Sequence, residues 1–261
     1  MSEAMQLRVH EPQARAFRLW VVLPAYNEEG AIGPLLDSLL SELGSDYPDF
    51  TILVVNDGSS DGTAAIVRGY ESTHRVSLID QPANRGLADT LRTGLLAAVQ
   101  QAHPSDIVVV MDADNTHPAG LVFRMTRRIR EGNDVVIASR YREGSCVRGV
   151  SFHRKILSNG ASWLFRAVFP THGVRDYTCG YRAYRAGMLM ELVEKHGQEF
   201  ISARGFSCMV DILLRLREHG AIIGEVPLVL RYDHKGGASK MKVFRTIGET
   251  LGLLVRRRLG R

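Results

Sequence analysis

The stretch VVVMDAD, residues Val108 to Asp114, is an apolar run that ends in two carboxylates one residue apart. A strand buried on both faces reads as a continuous apolar run, so the two acids are predicted to lie where this strand emerges at the carboxyl edge of a sheet. Ligands of open α/β sheets bind at that edge. Two carboxylates in a D-x-D sequence can share one divalent cation, which typically neutralises substrate phosphates. The competing interpretation is an acidic connection in which Asp114 or Asn115 caps the following helix.

Apolar runs and helical patterns alternate on both sides of this stretch. Strands are predicted at 19–23, 51–55, 76–79, 107–111 and 135–138, with helices at 32–43, 63–74, 86–102 and 118–131. Pro24 is expected to end the first strand. Because strand and helix alternate with short connections, the pattern predicts an α/β fold with a doubly wound, mostly parallel sheet.

The second half of the chain has a less regular pattern. Helices are expected at 152–169 and 206–219, a turn with a short strand at 176–184, and a strand pair broken by Pro227 at 221–232. The glycine-rich, charged segment 233–240 fits a loop that closes over a ligand and equally fits a surface turn. The predicted organisation is an N-terminal extension at 1–17, one large domain at 18–240 and a basic amphipathic helix at 241–261.

Composition and charge exclude several classes of protein. The 261 residues are 45% hydrophobic, enough to bury a full core. Three widely separated cysteines indicate neither a disulfide framework nor a zinc site, and a cytoplasmic location is expected. No signal peptide or membrane span is predicted. The net charge is +5, but residues 240–261 carry +6, so the main body has no general polyanion-binding charge and no nucleic acid is expected as a partner.

Four motifs follow predicted strands or precede a predicted helix. They are PAYNEE at 24–29, VNDGSSDGT at 55–63, NRGL at 84–87 and DAD at 112–114. In this order they resemble family-two glycosyltransferases of the GT-A fold, the nucleotide-diphospho-sugar transferase type. Later segments resemble the dolichol-phosphate mannose synthase branch of that family: SRY at 139–141, RKILSNGA at 154–161, DYTCGYRAY at 176–184, GEVP at 224–227 and GASK at 237–240. The resemblance covers residues 19–240.

The resemblance implies a catalytic domain with a nucleotide-sugar donor and a bound cation. Asp112 and Asp114 would hold Mg²⁺ or Mn²⁺ against the donor diphosphate, and Asp57 would contact the nucleoside. The remaining implied donor contacts are Pro24, Tyr26, Glu28, Arg85, Lys235 and Lys240. Two alternatives stay open from the residues themselves: the segment around Asp57 also fits a helix-capping turn, and Arg85 also fits a solvated surface arginine.

The acceptor implied by the resemblance is a polyprenyl phosphate. A phosphate is already ionised near neutral pH and needs positive charge to position it, whereas a hydroxyl acceptor normally needs a carboxylate base. Arg140 and Arg154 match the family's phosphate-binding arginines, and Asp176 and Asp211 match acidic residues that face the sugar or acceptor. Either arginine could instead form a structural ion pair. Asp211 could equally pair with Arg215 on a solvated helix face.

The chain departs from the family pattern at several positions. Thr116 stands where relatives often carry a glutamine, and His117, beside Pro118, is expected at the surface rather than on the metal. Asn56 replaces the first of two usual aspartates, and His234 followed by Lys235 replaces an arginine. These changes leave guanine and uracil both open as the donor base.

Three functions therefore remain in view. The first is an inverting, metal-dependent transferase that moves a hexose, mannose from GDP-mannose, onto a polyprenyl phosphate. The second is the same core with a UDP-sugar donor or a hydroxyl acceptor, and the third is a non-catalytic nucleotide-sugar-binding scaffold. Sugar nucleotidyltransferases are disfavoured because PAYNEE is not their glycine-rich loop.

The last predicted helix bears on how the chain would reach a lipid. It carries an apolar stripe of Phe244, Ile247, Leu251 and Leu254, flanked by basic residues. This composition fits peripheral contact with an anionic membrane on its cytosolic face, and it equally fits a helix docked on the protein's own core.

Overall fold

The computed structural model describes residues 17–148 and 166–231. Most of the predicted N-terminal extension, most of the predicted helix at 152–169, the loop at 233–240 and the C-terminal helix lie outside the described residues. The site predictions for Arg154, Lys235 and Lys240 lie outside them as well.

The sheet is mostly parallel, as the sequence predicts. Its strands are β1 (Leu19–Ala25), β2 (Phe50–Asn56), β3 (Val76–Asp80), β4 (Ile107–Val110), β5 (Val135–Ser139), β7 (Arg182–Arg185) and β8 (Ile223–Pro227). They follow the order β3-β2-β1-β4-β7-β5-β8, in which β7 alone runs antiparallel to its neighbours. Two further strands, β6 (Cys146–Arg148) and β9 (Val229–Arg231), pair with each other in parallel.

Residues 166–168 are α-helical, and six further α-helices lie entirely within the described ranges. They are α1 (Glu29–Asp46), α2 (Thr63–Tyr70), α3 (Leu87–Gln101), α4 (Leu121–Arg130), α5 (Ala186–His196) and α6 (Cys208–Glu218). Short 3₁₀ turns are found at Glu71–Thr73, Gly197–Phe200 and Gly205–Ser207. No helix in these ranges is long and apolar enough to cross a membrane.

The apolar run of the D-x-D stretch forms the central strand β4. Each residue of β4 is buried, which explains why the run shows no polar alternation. On the neighbouring helix α3, Gly94 packs against β1, where an added Cβ would lie 2.5 Å from Val22 Cγ1. The close approach of helix and sheet at this glycine fixes the layer that covers β1 and β2.

Three details of the sequence prediction are corrected. Strand β1 continues through Pro24 to Ala25, because its pairing with β4 ends at Val22 and the missing N–H at Pro24 breaks no ladder bond on that side. Helix α5 was not predicted, since it starts directly after β7 without a side-chain cap. The strands on either side of Pro227 belong to different sheets, β8 to the large one and β9 to the small one.

Candidate active site

The D-x-D loop emerges at the carboxyl end of β4 as predicted, and its two acids differ in exposure. The Asp112 side chain is 46% exposed, whereas Asp114 is buried. Asp114 Oδ1 accepts hydrogen bonds from Thr116 N at 3.2 Å and from Thr116 Oγ1 at 2.6 Å. The capping alternative is wrong: α4 begins only at Leu121, with Gly120 at its N-cap. The loop therefore presents one carboxylate outward and anchors the other.

His117 is buried beside Asp112, so the expectation of a surface histidine is wrong. Its Nδ1 accepts a hydrogen bond from the Asp112 backbone N–H at 3.1 Å, and its Nε2 lies 3.8 Å from Asp112 Oδ2. The imidazole stacks on the Tyr181 ring, with centroids 4.8 Å apart and planes inclined by 23°. The sequence could not show this, because Tyr181 is brought to the loop only by the tertiary fold.

The segment before β7 forms the other side of the D-x-D loop. An added Cβ at Gly180 would lie 3.2 Å from Asp112 Oδ1, so a side chain here would crowd the carboxylate. The segment is held by Arg182, which is fully buried. Its guanidinium donates to the carbonyl oxygens of Cys179, Met209 and Tyr177 at 2.9, 2.6 and 2.8 Å. Sequence reasoning gave Arg182 no role, although an arginine inside a strand is a signal that could have been followed.

Asp57, at the end of β2, holds a neighbouring turn. Its two oxygens accept hydrogen bonds from the backbone N–H groups of Arg85 and Gly86 at 2.7 and 2.9 Å. Gly58 follows with a φ of 63°, and an added Cβ there would lie 2.4 Å from the Ala83 carbonyl carbon. The Arg85 side chain is exposed. The loop is thus packed directly on the turn that starts α3, and the predicted contact of Asp57 with a nucleoside stays a prediction.

Hydrogen bonds join the loop after β1 to the segment after β2. The Asn27 side chain accepts a hydrogen bond from Ser60 N at 2.8 Å, and Glu28 N donates to Thr63 Oγ1 at 2.8 Å. Tyr26 is 38% exposed, so part of its ring faces solvent. The two loops together form a rigid polar rim with an aromatic ring on its surface.

The replacement of an aspartate by Asn56 has a physical reason in this chain. Asn56 Nδ2 donates to Asp80 Oδ1 at 2.7 Å, at the end of the neighbouring strand β3. A carboxylate at position 56 would face the Asp80 carboxylate, and two like charges at hydrogen-bond distance repel. The amide therefore belongs to the structure of this edge.

Arg140 and Asp176 form a buried two-pronged ion pair. Arg140 Nε donates to Asp176 Oδ2 at 2.8 Å and Nη2 donates to Oδ1 at 2.7 Å. Burial alone would raise the pKa of the Asp176 carboxyl, but the Arg140 guanidinium overrides this effect and holds the pKa below its usual value. Arg140 therefore does form the structural ion pair that the sequence left open as an alternative. The Arg140 side chain remains 20% exposed, and its role toward an acceptor phosphate stays a prediction.

Glu225 supports this pair from β8. Its Oε1 accepts hydrogen bonds from the backbone N–H groups of Arg175 and Asp176 at 2.6 and 2.8 Å. Burial raises the pKa of the Glu225 carboxyl. The sequence assigned no role to the acid of the GEVP motif. In the structure this acid, Glu225, accepts the hydrogen bonds that orient the backbone at Asp176.

Asp211 is buried on α6, so the solvated-face interpretation is wrong. Its Oδ2 accepts hydrogen bonds from Ser202 N at 2.7 Å and Ala203 N at 3.0 Å. Arg215, one turn later, contacts Oδ1 through Nε at 3.8 Å, which confirms the i, i+4 pair as a long contact. Asp211 thus fastens the loop at 202–203 to α6, and a contact with sugar or acceptor stays a prediction.

The donor set at the D-x-D loop fits a cation that substrate phosphates help to hold. Within 17–148 and 166–231, no group of three or more His, Cys, Asp or Glu side chains is arranged as a metal site. Mg²⁺ is commonly bound by one or two carboxylates plus substrate phosphates and water, rather than by a cage made only of protein. A half-exposed Asp112 beside an anchored Asp114 suits such a shared site.

Comparison with known proteins gives consistent relatives. The chain matches the profile of the family described as "Glycosyl transferase family 2" over residues 20–193. The polyprenol monophosphomannose synthase of Mycolicibacterium smegmatis is 30% identical over 226 residues, which cover 86% of this chain and 81% of that protein. The dolichol-phosphate mannosyltransferase of Pyrococcus furiosus is 31% identical over 226 residues, 85% of this chain but only 58% of that protein.

A solved structure has the same fold. The glucosyl-3-phosphoglycerate synthase of Mycobacterium tuberculosis, crystallised with Mn²⁺, UDP and glucosyl-3-phosphoglycerate, superposes with a TM-score of 0.65 at 22% identity. The match covers 94% of this chain and 80% of that one.

Proposed function

The chain belongs to glycosyltransferase family 2, and from this premise we propose that it transfers mannose from GDP-mannose to a polyprenyl phosphate with inversion at the anomeric carbon. The observation that carries the proposal is the half-exposed Asp112 beside the anchored Asp114 at the edge of the sheet. The names of the two curated relatives support mannose as the sugar and a polyprenyl phosphate as the acceptor.

In this proposal Asp112 and Asp114 hold Mg²⁺ or Mn²⁺. When bound, the cation offsets the charge that develops on the departing nucleoside diphosphate. The rim made by the loops after β1 and β2 binds the nucleoside, with the exposed Tyr26 ring available for stacking on the base. Arg85 lies just before α3, and its exposed side chain is proposed to reach a donor phosphate, while its backbone N–H is taken by Asp57.

The state of the two buried acids favours a phosphate acceptor over a hydroxyl. A hydroxyl must lose its proton to a carboxylate base as it attacks the anomeric carbon. The Asp176 carboxylate is held by Arg140 with a lowered pKa, which makes it a weak base, and Asp211 Oδ2 already accepts backbone hydrogen bonds. A phosphate oxygen needs no base: it forms the new bond to the sugar while the bond to the diphosphate oxygen breaks.

Arg140 is the described residue proposed to bind the acceptor phosphate. Its Nε and Nη2 atoms bind Asp176, and Nη2 also donates to Thr178 Oγ1 at 2.6 Å. The Nη1 atom donates to no other residue of the described ranges and belongs to a partly exposed side chain. The pair with Asp176 would keep the guanidinium in place for the acceptor. Arg154, Lys235 and Lys240 are proposed to add positive charge around the same substrates.

The C-terminal tail is proposed to bring the enzyme to its lipid. Residues 240–261 carry a net charge of +6 together with an apolar stripe. Near an anionic surface each cation contributes about 1 kcal/mol, and the apolar face adds burial in the headgroup layer. Such contact would make the enzyme a peripheral protein on the cytosolic face of a membrane.

One transfer assay tests the proposal. Labelled sugar from GDP-mannose, UDP-glucose or UDP-N-acetylglucosamine is offered to a short polyprenyl phosphate and to the matching unphosphorylated polyprenol, with Mg²⁺, Mn²⁺ or EDTA. Transfer from GDP-mannose to the phosphate alone, lost in EDTA, is expected. Transfer to the polyprenol, or from a UDP-sugar in preference to GDP-mannose, would instead support the second candidate. The support for that candidate is the UDP bound in the M. tuberculosis structure, which shares the fold of this chain at 22% identity.

A further inference from the structure

We propose that His117 is a positioning residue that sets the direction of the Asp112 carboxylate for the cation. The inference rests on the proposed function, since it assumes a divalent cation at Asp112. It concerns a residue that the D-x-D motif does not include.

The Asp112 carboxylate lies between two fixed groups. His117 Nε2 is 3.8 Å from Oδ2, and Gly180 lies on the Oδ1 side, where an added Cβ would be only 3.2 Å away. The 3.8 Å separation is too long for a hydrogen bond, so the imidazole acts on the carboxylate as a nearby polar group and a steric wall. Its direct hydrogen bond is to the Asp112 backbone N–H, at 3.1 Å.

The direction of this hydrogen bond fixes the hydrogen position on the neutral ring. Nδ1 accepts from the Asp112 N–H, so a neutral imidazole carries its proton on Nε2, the atom that faces the Asp112 carboxylate. The same ring thus orients the Asp112 backbone through one nitrogen and presents a positive edge to the side chain through the other. Groups behind a metal ligand commonly orient it through hydrogen bonds, and here the hydrogen bond is to the backbone N–H of the proposed ligand.

The imidazole is itself held from the far side of the loop. It stacks on Tyr181, whose hydroxyl donates to the Pro118 carbonyl oxygen at 3.0 Å. Tyr181 lies directly before Arg182, the buried arginine that fastens this segment to three carbonyl oxygens. The position of Asp112 is therefore set by the segment that precedes β7 as well as by the strand β4 that leads to it.

Two His117 variants separate positioning from simple packing. His117→Asn places an amide oxygen near the position of Nδ1 and keeps an acceptor for the Asp112 N–H. His117→Phe keeps the ring and its stacking on Tyr181 but removes the acceptor. Mn²⁺ binding to the full chain is measured by electron paramagnetic resonance with saturating GDP and, in parallel, UDP, and thermal unfolding is recorded without metal.

His117→Phe is expected to weaken Mn²⁺ binding by about 10- to 100-fold, the usual effect of removing a group that orients a metal ligand. His117→Asn is expected to weaken Mn²⁺ binding less than His117→Phe does, because it keeps the acceptor for the Asp112 N–H although it loses the ring and its Nε2–H. Equal Mn²⁺ affinity in the wild type and His117→Phe would overturn the inference alone. A wild type that binds no Mn²⁺ with either nucleotide would overturn the proposed metal dependence as well.

Gly180→Ala gives an independent probe that does not depend on how well a His117 variant folds. Gly180 does not have a positive φ, so alanine fits the backbone, and the half-exposed Asp112 carboxylate can move aside by a few tenths of an ångström. Weaker Mn²⁺ binding with an unchanged melting temperature is expected. The control is Gly44→Ala on α1, where an added Cβ meets nothing within 4 Å. Unchanged Mn²⁺ affinity in Gly180→Ala would contradict the claim that the position of this carboxylate is critical.

Discussion

Replacing Arg140 by methionine should destabilise the protein far more than removing an exposed arginine would. Methionine keeps most of the apolar stem of the side chain and removes the guanidinium that binds Asp176 through Nε and Nη2, at 2.8 and 2.7 Å. The Asp176 side chain has no exposed surface, so its charge would be left buried without its counter-ion.

The expected loss follows from what remains around the carboxylate. Breaking a buried ion pair by removing one partner costs about 3–5 kcal/mol. Asp176 would keep backbone hydrogen bonds from Arg140 N at 3.1 Å, Thr178 N at 3.2 Å and Cys179 N at 3.1 Å. Because these donors still stabilise the charge, the lower end, about 3 kcal/mol, is expected.

The pH dependence of stability should change sign. In the wild type the folded pKa of Asp176 is lowered, so its contribution is present above the unfolded pKa of about 3.9 and is lost as the pH falls through the folded value. In Arg140→Met the effect of burial is no longer overridden, and the folded pKa should lie above the unfolded one. The folded variant then binds the extra proton, so its stability should decrease as the pH rises from about 4 through the new pKa.

Urea unfolding at pH 5 and pH 7.5 measures both effects. The control is Arg124→Met on α4, an exposed position where a change of about 0.5 kcal/mol or less is expected. A loss below about 1 kcal/mol for Arg140→Met, equal at both pH values, would show that the ion pair of Arg140 with Asp176 does not stabilise the fold. In that case the role left for Arg140 would be the proposed binding of the acceptor phosphate.

Three further predictions concern the metal, a loop and the tail. Asp114→Asn should abolish transfer and leave the melting temperature nearly unchanged, and an active variant without added metal would refute the assignment. Gly58→Ala should destabilise the protein by about 2–4 kcal/mol in urea unfolding, because a positive φ is combined with a Cβ 2.4 Å from Ala83. A loss below about 0.5 kcal/mol would contradict this reasoning. The full chain, but not a chain truncated after Leu254, should co-sediment with anionic liposomes at low salt, and sedimentation of neither would leave the tail without a membrane role.

The sequence predicted the part of the site that depends on neighbouring residues along the chain. Strand β4 ends in the two acids because a doubly buried strand must be apolar until it leaves the sheet, and this rule is local. The role of His117 escaped prediction because the ring is held by Tyr181, 64 residues later, and no periodicity reports such a contact. The same holds for Asn56, whose amide makes sense only beside Asp80.

Backbone N–H groups anchor two of the acids that the family motifs identify. Asp57 meets two free N–H groups at the turn before α3, and Asp211 meets two at 202–203. A carboxylate that accepts such bonds is satisfied and anchored, and it holds its loop in place. Asp112 differs because its own N–H is taken by an imidazole while its side chain remains half exposed. Asp112 is therefore the acid of the D-x-D motif that reaches the surface, with its carboxylate between the His117 ring and Gly180.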